Sequence, residues 1–190
     1  MEYKFHDVDL DDAVIVAAGA ITNSINLIAQ GVTESTRVGR KCCIRSINWR
    51  YNFFLTEIVA QATPAPADIL RIILYLDKQA NGATATVTNI LKTADFQSFN
   101  NLANKGRFRI LMDRTHVLNY AAAIGVTASS DWPEVEYAGS FYKRCSIPIE
   151  FDSTAGAITE IRSNNLGVLL ITRAGVAGLN SKFRLRFSDA

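Results

Sequence analysis

The segment Asp68–Asp77, which reads DILRIILYLD, is the strongest indication of the fold in the sequence. It is almost continuously apolar over the length of one strand, and such a run predicts a central β-strand covered on both faces. Near the C-terminus, Lys182–Phe187 has a second pattern, in which every other residue is basic. Strict alternation predicts a strand with one face on the core and one face in solvent.

Further stretches rich in branched and aromatic residues predict strands over Ala20–Ile28, Arg40–Ile58, Arg107–Leu118, Ser140–Asp152 and Leu166–Arg173. An eighth strand is expected near Tyr137 or over Tyr3–Val8. Pro148 places its strand at a sheet edge or at a bulge, because proline cannot donate to the ladder. Apolar residues at helical spacing predict one or two helical turns within Thr86–Asn100.

Many strands without alternating helices indicate an antiparallel sandwich or barrel. We therefore predict an all-β fold, an eight-stranded antiparallel jelly-roll sandwich with one short helix. The length of 190 residues favours one domain over residues 1–190, of which residues 1–17 are expected to be an N-terminal extension. The long connections Val59–Ala67, Asn119–Tyr137 and Ser153–Asn165 are expected to form the surface and its contacts.

Composition places the chain among globular proteins with a mildly basic balance. The formal net charge is +2, well below that of a dedicated nucleic-acid-binding domain. No signal peptide and no apolar stretch near the roughly 20 residues of a membrane helix is visible, so synthesis in the cytosol is expected. Cys42, Cys43 and Cys145 are interpreted as free thiols, with one disulfide to Cys145 as the alternative.

Residues for catalysis or metal binding are scarce. The only histidines are His6 and His116, too few for the histidine–carboxylate cluster of a jelly-roll metalloenzyme. The acidic run that begins at Asp7 resembles a calcium loop, but Asp12 stands where the loop needs glycine and Ala18 where it needs glutamate. We predict no enzyme, no cofactor and no metal site, and interpret the acidic run as solvated or docked on a neighbour's basic patch.

Two remaining sets of residues leave alternatives open. Trp49 and Trp132 could stack on bases, although burial in the core or in a subunit contact is favoured. Cys145 or Ser146 with His116 is the one conceivable nucleophile pair, and it is not favoured.

Four blocks of sequence, in order along the chain, resemble the capsid proteins of circular, Rep-encoding single-stranded DNA viruses such as circoviruses and geminiviruses. They are the glycine turn and basic segment Gln30–Lys41, the strand and Asp-Lys-Gln-x-Asn-Gly block Arg71–Gly82, the Asn-Lys-x-Arg-Phe block within Phe99–Leu111, and the ending Lys182–Asp189.

The resemblance implies a jelly-roll capsid protein that assembles into a small icosahedral shell, in the simplest T=1 case of sixty copies. Its partners would be copies of itself, a circular single-stranded DNA genome bound without sequence specificity, and a host receptor that stays open. The virion would be its location, after synthesis in the cytoplasm and assembly in the host nucleus. The family usually carries a basic N-terminal arm that packs the genome, whereas this sequence begins with an acidic segment, so we expect that the arm was either removed or never present and that genome binding by this chain is weaker.

Seven basic residues are the candidate nucleic-acid-binding, genome-facing set: Arg37, Arg40, Lys41, Arg45, Lys182, Arg184 and Arg186. Like charges crowded on one face repel each other unless a counter-charge screens them, and genome phosphate would do so. The alternative is a solvated face with Asp or Glu partners on the neighbouring strand.

Three other functions remain open at this point. One is the coat protein of a small RNA satellite virus, which would share the architecture and differ in its genome. Another is a non-viral jelly-roll module that binds carbohydrate or another ligand, and the last is an enzyme. Particle size separates the viral functions from the others, and nuclease sensitivity of the enclosed nucleic acid separates DNA from RNA.

Overall fold

The computed structural model describes residues 3–15, 21–55, 67–119, 136–173, 175 and 177–189. Its strands are β1 (Lys4–Ile15), β2 (Ile21–Ser24), β3 (Lys41–Leu55), β4 (Ala67–Asp77), β5 (Phe108–Asn119), β6 (Glu136–Phe151), β7 (Ile161–Ser163), β8 (Asn165–Thr172) and β9 (Ala177–Asp189). A single-turn helix, α1 (Val87–Ile90), and 3-10 turns at Leu102–Asn104 and Ile158–Glu160 lie between them.

The strands form two antiparallel sheets, a five-stranded one in the order β1-β9-β3-β6-β7 and a four-stranded one in the order β2-β8-β4-β5. Apart from the three-residue β7, the pairs are nested along the chain: β4 with β5, β3 with β6, β2 with β8 and β1 with β9. A long hairpin rolled up in this way is a jelly roll. The predicted eight-stranded jelly roll with one short helix is confirmed.

The main core lies between the two sheets and is rich in aromatic rings. Trp49 of β3 is fully buried and stacks on Phe183 of β9, with ring centroids 4.6 Å apart. Alternate residues of β4, such as Leu70 and Ile72, face these rings from the other sheet. Burial of each such side chain stabilises the fold by about 1.5–3 kcal/mol. The prediction that Trp49 is a core residue is confirmed.

Strand β4 is covered on both faces, as its apolar run predicts. Its other face buries Ile73 and Tyr75 in a second cluster with Ile90 of α1 and with Phe108. The ring of Tyr75 needs a glycine beside it, because a Cβ at Gly167 would lie 2.3 Å from the ring. The short helix therefore closes the outer side of the four-stranded sheet.

The Asp-Lys-Gln-x-Asn-Gly block at the end of β4 has a structural function. Asp77 is fully buried and accepts two hydrogen bonds of 2.7 Å from the Arg107 guanidinium. Its carboxylate also accepts the backbone N–H of Gln79 at 3.1 Å. The acid thus joins the end of β4 to the start of β5.

Several boundaries differ from the sequence predictions. Lys4–Ile15, within the expected extension 1–17, is a strand paired with β9 over most of its length, so it is one of the eight strands of the jelly roll. The expected strand over Tyr3–Val8 is thereby found, whereas Tyr137 lies inside β6. Strand β2 stops at Ser24 because Asn26 turns inward, where its side chain bonds the backbone of Asn164 and Leu166.

Strand β6 lies at the edge of its sheet for most of its length, as Pro148 predicts. On that side it pairs with β7 only at Glu150 and Phe151. Cys42, Cys43 and Cys145 are free, so the alternative disulfide is not formed. Of the expected surface connections, 153–165 is described and contains β7; residues 56–66 and 120–135, with Trp132, lie outside the described residues.

Candidate nucleic-acid interface

The outward face of the five-stranded sheet holds most of the basic residues predicted to bind nucleic acid. Three rows of side chains run across it from β1 to β6, and the register defines each row. The rows are Phe5-Arg186-Ser46-Arg144, Asp7-Arg184-Asn48-Tyr142 and Asp9-Lys182-Arg50-Ser140. Basic side chains from β9, β3 and β6 thus share one face.

Carboxylates of β1 neutralise two of the β9 residues. Arg184 donates two hydrogen bonds to Asp7, at 2.8 and 2.6 Å, and the Lys182 ammonium lies 3.1 Å from the Asp9 carboxylate. The hydrogen bond from Arg184 lowers the pKa of Asp7. The sequence analysis gave acidic partners on a neighbouring strand as the alternative to genome phosphate, and Asp7 and Asp9 are such partners. They are two of the four acids in the run at 7–12.

Arg37 is not at the surface, and its assignment to a genome-facing group needs correction. Its side chain is fully buried and donates to the backbone carbonyls of Ile28, Gly39 and Ser153. The guanidinium lies 4.1 Å from the ring centroid of Phe151. An arginine side chain has enough donors to satisfy all three of these carbonyl groups at once. Arg37 therefore stabilises the loop before β3.

The next two basic residues, Arg40 and Lys41, are exposed and lie beside acids. Arg40 donates to the carbonyl oxygen of Asp152 at 2.8 Å, and its guanidinium is 3.7 Å from the Asp152 carboxylate. The Lys41 ammonium is 3.8 Å from Glu150. Exposed pairs at these distances are weak, so both cations stay accessible to other anions.

The remaining predicted residues, Arg45 and Arg186, meet a third arginine that the sequence analysis did not select. Together with Tyr142, Arg144 of β6 and these two side chains line an open cleft of about 430 Å³. Arg45 also donates to the Ser188 hydroxyl at 3.1 Å. The sequence analysis missed Arg144 and Arg50, because only the strand order brings β3 and β6 to the same face as β9. Alternation along β6 was the one sequence signal that could have indicated that Arg144 points outward.

The other candidate groups do not come together. The His116 ring is buried against Tyr51, Phe53 and Tyr137, whereas Ser146 lies 3.4 Å from the Cys43 sulfur. Among the described residues, no three His, Cys, Asp or Glu side chains are grouped to hold a metal ion. No helix in the described part of the chain is long and apolar enough to cross a membrane.

A model of the satellite tobacco necrosis virus coat protein family matches residues 2–189, nearly the whole chain. The chain belongs to this family. It is therefore a viral coat protein, with a structural role in the virion. The coat protein of Maize white line mosaic satellite virus is 24% identical over 194 residues, which cover 100% of this chain and 82% of that protein.

Solved capsid structures are also similar over almost the full chain. Naturally occurring empty particles of cowpea mosaic virus match with a TM-score of 0.34 and 10% identity, covering 100% of this chain and 90% of theirs. The 60-mer of the BFDV capsid protein matches with a TM-score of 0.30 and 12% identity, covering 97% and 89%. At such TM-scores the likenesses carry no argument, and the fold assignment rests on the strand order above.

The family match favours the satellite-virus coat protein, which was the alternative in the sequence analysis. It does not support the resemblance to circular single-stranded DNA viruses. The sequence blocks do not separate the two viral groups, because much of what they contain is jelly-roll architecture. Asp77 with Arg107 joins two strands, and the arginine of the Arg-x-Gly turn, Arg37, fixes a loop.

Proposed function

We propose that this coat protein assembles with copies of itself into a small icosahedral shell, T=1 with sixty subunits, around a single-stranded RNA satellite genome. The names of its relatives, both satellite-virus coat proteins, support the RNA assignment. Assembly in the host nucleus was expected from the DNA resemblance alone and is not part of the proposal.

The outward face of the five-stranded sheet is proposed to line the inside of the shell. The observation that carries this assignment is the charge on that face: among the described residues of the three rows and the cleft, the basic side chains outnumber the two carboxylates, those of Asp7 and Asp9. The basic side chains are Arg45, Arg50, Arg144, Lys182, Arg184 and Arg186. Such an excess favours a polyanion. Contacts made to phosphate carry no sequence information, which suits a surface that must accept a whole genome.

The proposal is tested by producing the full chain and separating it by size-exclusion chromatography with light scattering, followed by negative-stain imaging. We expect uniform megadalton particles whose nucleic acid is degraded by RNase, after particle opening, and not by DNase. Particles that hold only DNA would contradict the RNA genome, and a protein that stays monomeric across salt and pH would contradict assembly.

A further inference from the structure

The cleft on the outward face of the five-stranded sheet is enriched in arginine and tyrosine. Its walls include Tyr3, Arg45, Ser46, Tyr142, Arg144 and Arg186. It is an open cleft with a volume of about 430 Å³. No carboxylate is among the described residues that line it, unlike the neighbouring part of the same face, which contains Asp7 and Asp9.

The register explains why a depression forms here. Ser46 of β3 pairs with Arg144 on one side and with Arg186 on the other, so a small side chain lies between two long cationic ones. The irregularity between Ile44 and Ser46 adds Arg45 to the same place. The ion pairs of the described residues include neither Arg144 nor Arg186, which leaves both guanidiniums able to bind an anion.

Tyr142 supplies an exposed ring beside these charges. It is 61% exposed, and it lines the cleft together with Arg144 and Ser46. The neighbouring Arg144 lowers the pKa of Tyr142. The ring is therefore open to solvent beside the arginines. Tyr3, at 62% exposed, is a second ring at the same cleft.

We propose that this cleft binds an unpaired nucleotide of single-stranded RNA, with the base stacked on Tyr142 and the adjoining phosphates on Arg144 and Arg186. The inference rests on the proposed function and adds a defined site to it. An acidic protein segment would satisfy the arginines but would leave the exposed aromatic ring without a partner. Stacking accepts any base, so the site would favour single strands without reading their sequence.

The test measures binding of unassembled full-length subunits, separated from particles by size-exclusion chromatography, to two fluorescein-labelled probes by anisotropy. One probe is a hexamer of uridine, and the other is an abasic hexamer with the same phosphates. Tyr142→Ala should weaken binding of the uridine hexamer by about 5- to 150-fold, the range that stacking of one base supports. Binding of the abasic hexamer should not change, and Tyr142→Phe should retain most of the uridine affinity.

Matched controls lie elsewhere on the surface. Phe99→Ala removes a ring that is 86% exposed on another part of the molecule, and Arg162→Gln removes a cation from β7 that lies 3.8 Å from Glu150. Neither should affect the base-dependent part of binding. Arg144→Gln should weaken both probes and lower the salt dependence of binding by about 0.7 in the log–log slope.

The outcomes separate the site from the proposed function. Equal binding of both probes by the parent protein, or no effect of Tyr142→Ala, would overturn the nucleotide site while RNase-sensitive particles leave the coat-protein proposal intact. Tighter competition by a hexaglutamate peptide than by the uridine hexamer would overturn it in favour of a protein partner. Parent protein that binds neither probe and encloses no RNA would refute both proposals.

As a second measurement, independent of variants, particles packed with 4-thiouridine RNA can be photo-crosslinked and their peptides mapped. Crosslinks at or beside Tyr142 are expected. Crosslinks confined to other faces of the subunit would overturn the assignment.

Discussion

Replacing Arg37 by alanine should be among the most destabilising changes in the loop that precedes β3. The substitution leaves the carbonyls of Ile28, Gly39 and Ser153 without their donor and removes the guanidinium from Phe151. One buried acceptor left unsatisfied costs about 1–3 kcal/mol. Since the bonds to Gly39 and Ser153 are only partly buried, we expect a total loss of about 3–5 kcal/mol, less than the simple sum.

The matched control is Arg40→Ala, three residues further along the same motif. Arg40 is exposed and its nearest carboxylate is 3.7 Å away, so its loss should change stability by about 0–1 kcal/mol. For a domain of this size, 1 kcal/mol shifts Tm by roughly 2–4 °C, so Arg37→Ala should lower Tm by about 6–20 °C.

Thermal unfolding followed by circular dichroism measures the difference, with light scattering to verify that all samples have the same oligomeric state. Equal Tm values for the two variants would refute the assignment of Arg37 to the interior. A stable Arg37→Ala variant that had lost RNA binding would favour the original genome-facing interpretation instead.

Further predictions concern charge, packing and pH. Asp7→Asn should change stability by less than about 1 kcal/mol, because the pair of Asp7 with Arg184 is exposed. Because Arg184 then becomes available to phosphate, the salt dependence of RNA binding should steepen by up to about 0.7 in the log–log slope. An unchanged slope would show that Arg184 does not reach phosphate. Gly167→Ala should cost about 1–3 kcal/mol in urea unfolding, because its Cβ would lie 2.3 Å from the buried Tyr75 ring, whereas Gly106→Ala, with nothing within 4 Å, should be nearly neutral. Burial lowers the pKa of His116, so below about pH 6.5 the unfolded chain binds more protons and stability should fall as pH falls. His116→Phe should flatten that dependence in urea unfolding between pH 5 and 8, apart from a contribution in the same direction from His6, and an unchanged slope would contradict it.

The fold was predictable because alternation and apolar runs report burial residue by residue. The apolar run Asp68–Asp77 predicted a strand covered on both faces. The alternation in Lys182–Phe187 predicted a strand with one face exposed to solvent. The extent of β1 was underestimated because its acids interrupt any apolar pattern. Only pairing with β9 explains them, since Asp7 and Asp9 lie opposite Arg184 and Lys182.

The candidate site was predictable only in part, because it is assembled from strands far apart in sequence. Arg186 and Arg144 belong to β9 and β6, and β3 brings them together. Sequence proximity grouped Arg37 with Arg45 instead, although one is buried under a loop and the other lines the cleft. Local sequence patterns indicate which face of a strand a side chain occupies. Which side chains it meets on neighbouring strands depends on the sheet topology.

A cryo-electron microscopy reconstruction of the particles formed by this protein would show which sheet faces the genome. We expect a closed shell in which the outward face of the five-stranded sheet, with Arg144 and Arg186, lines the interior beside nucleic-acid density. A shell with that face on its exterior, and with the RNA against the four-stranded sheet, would contradict it.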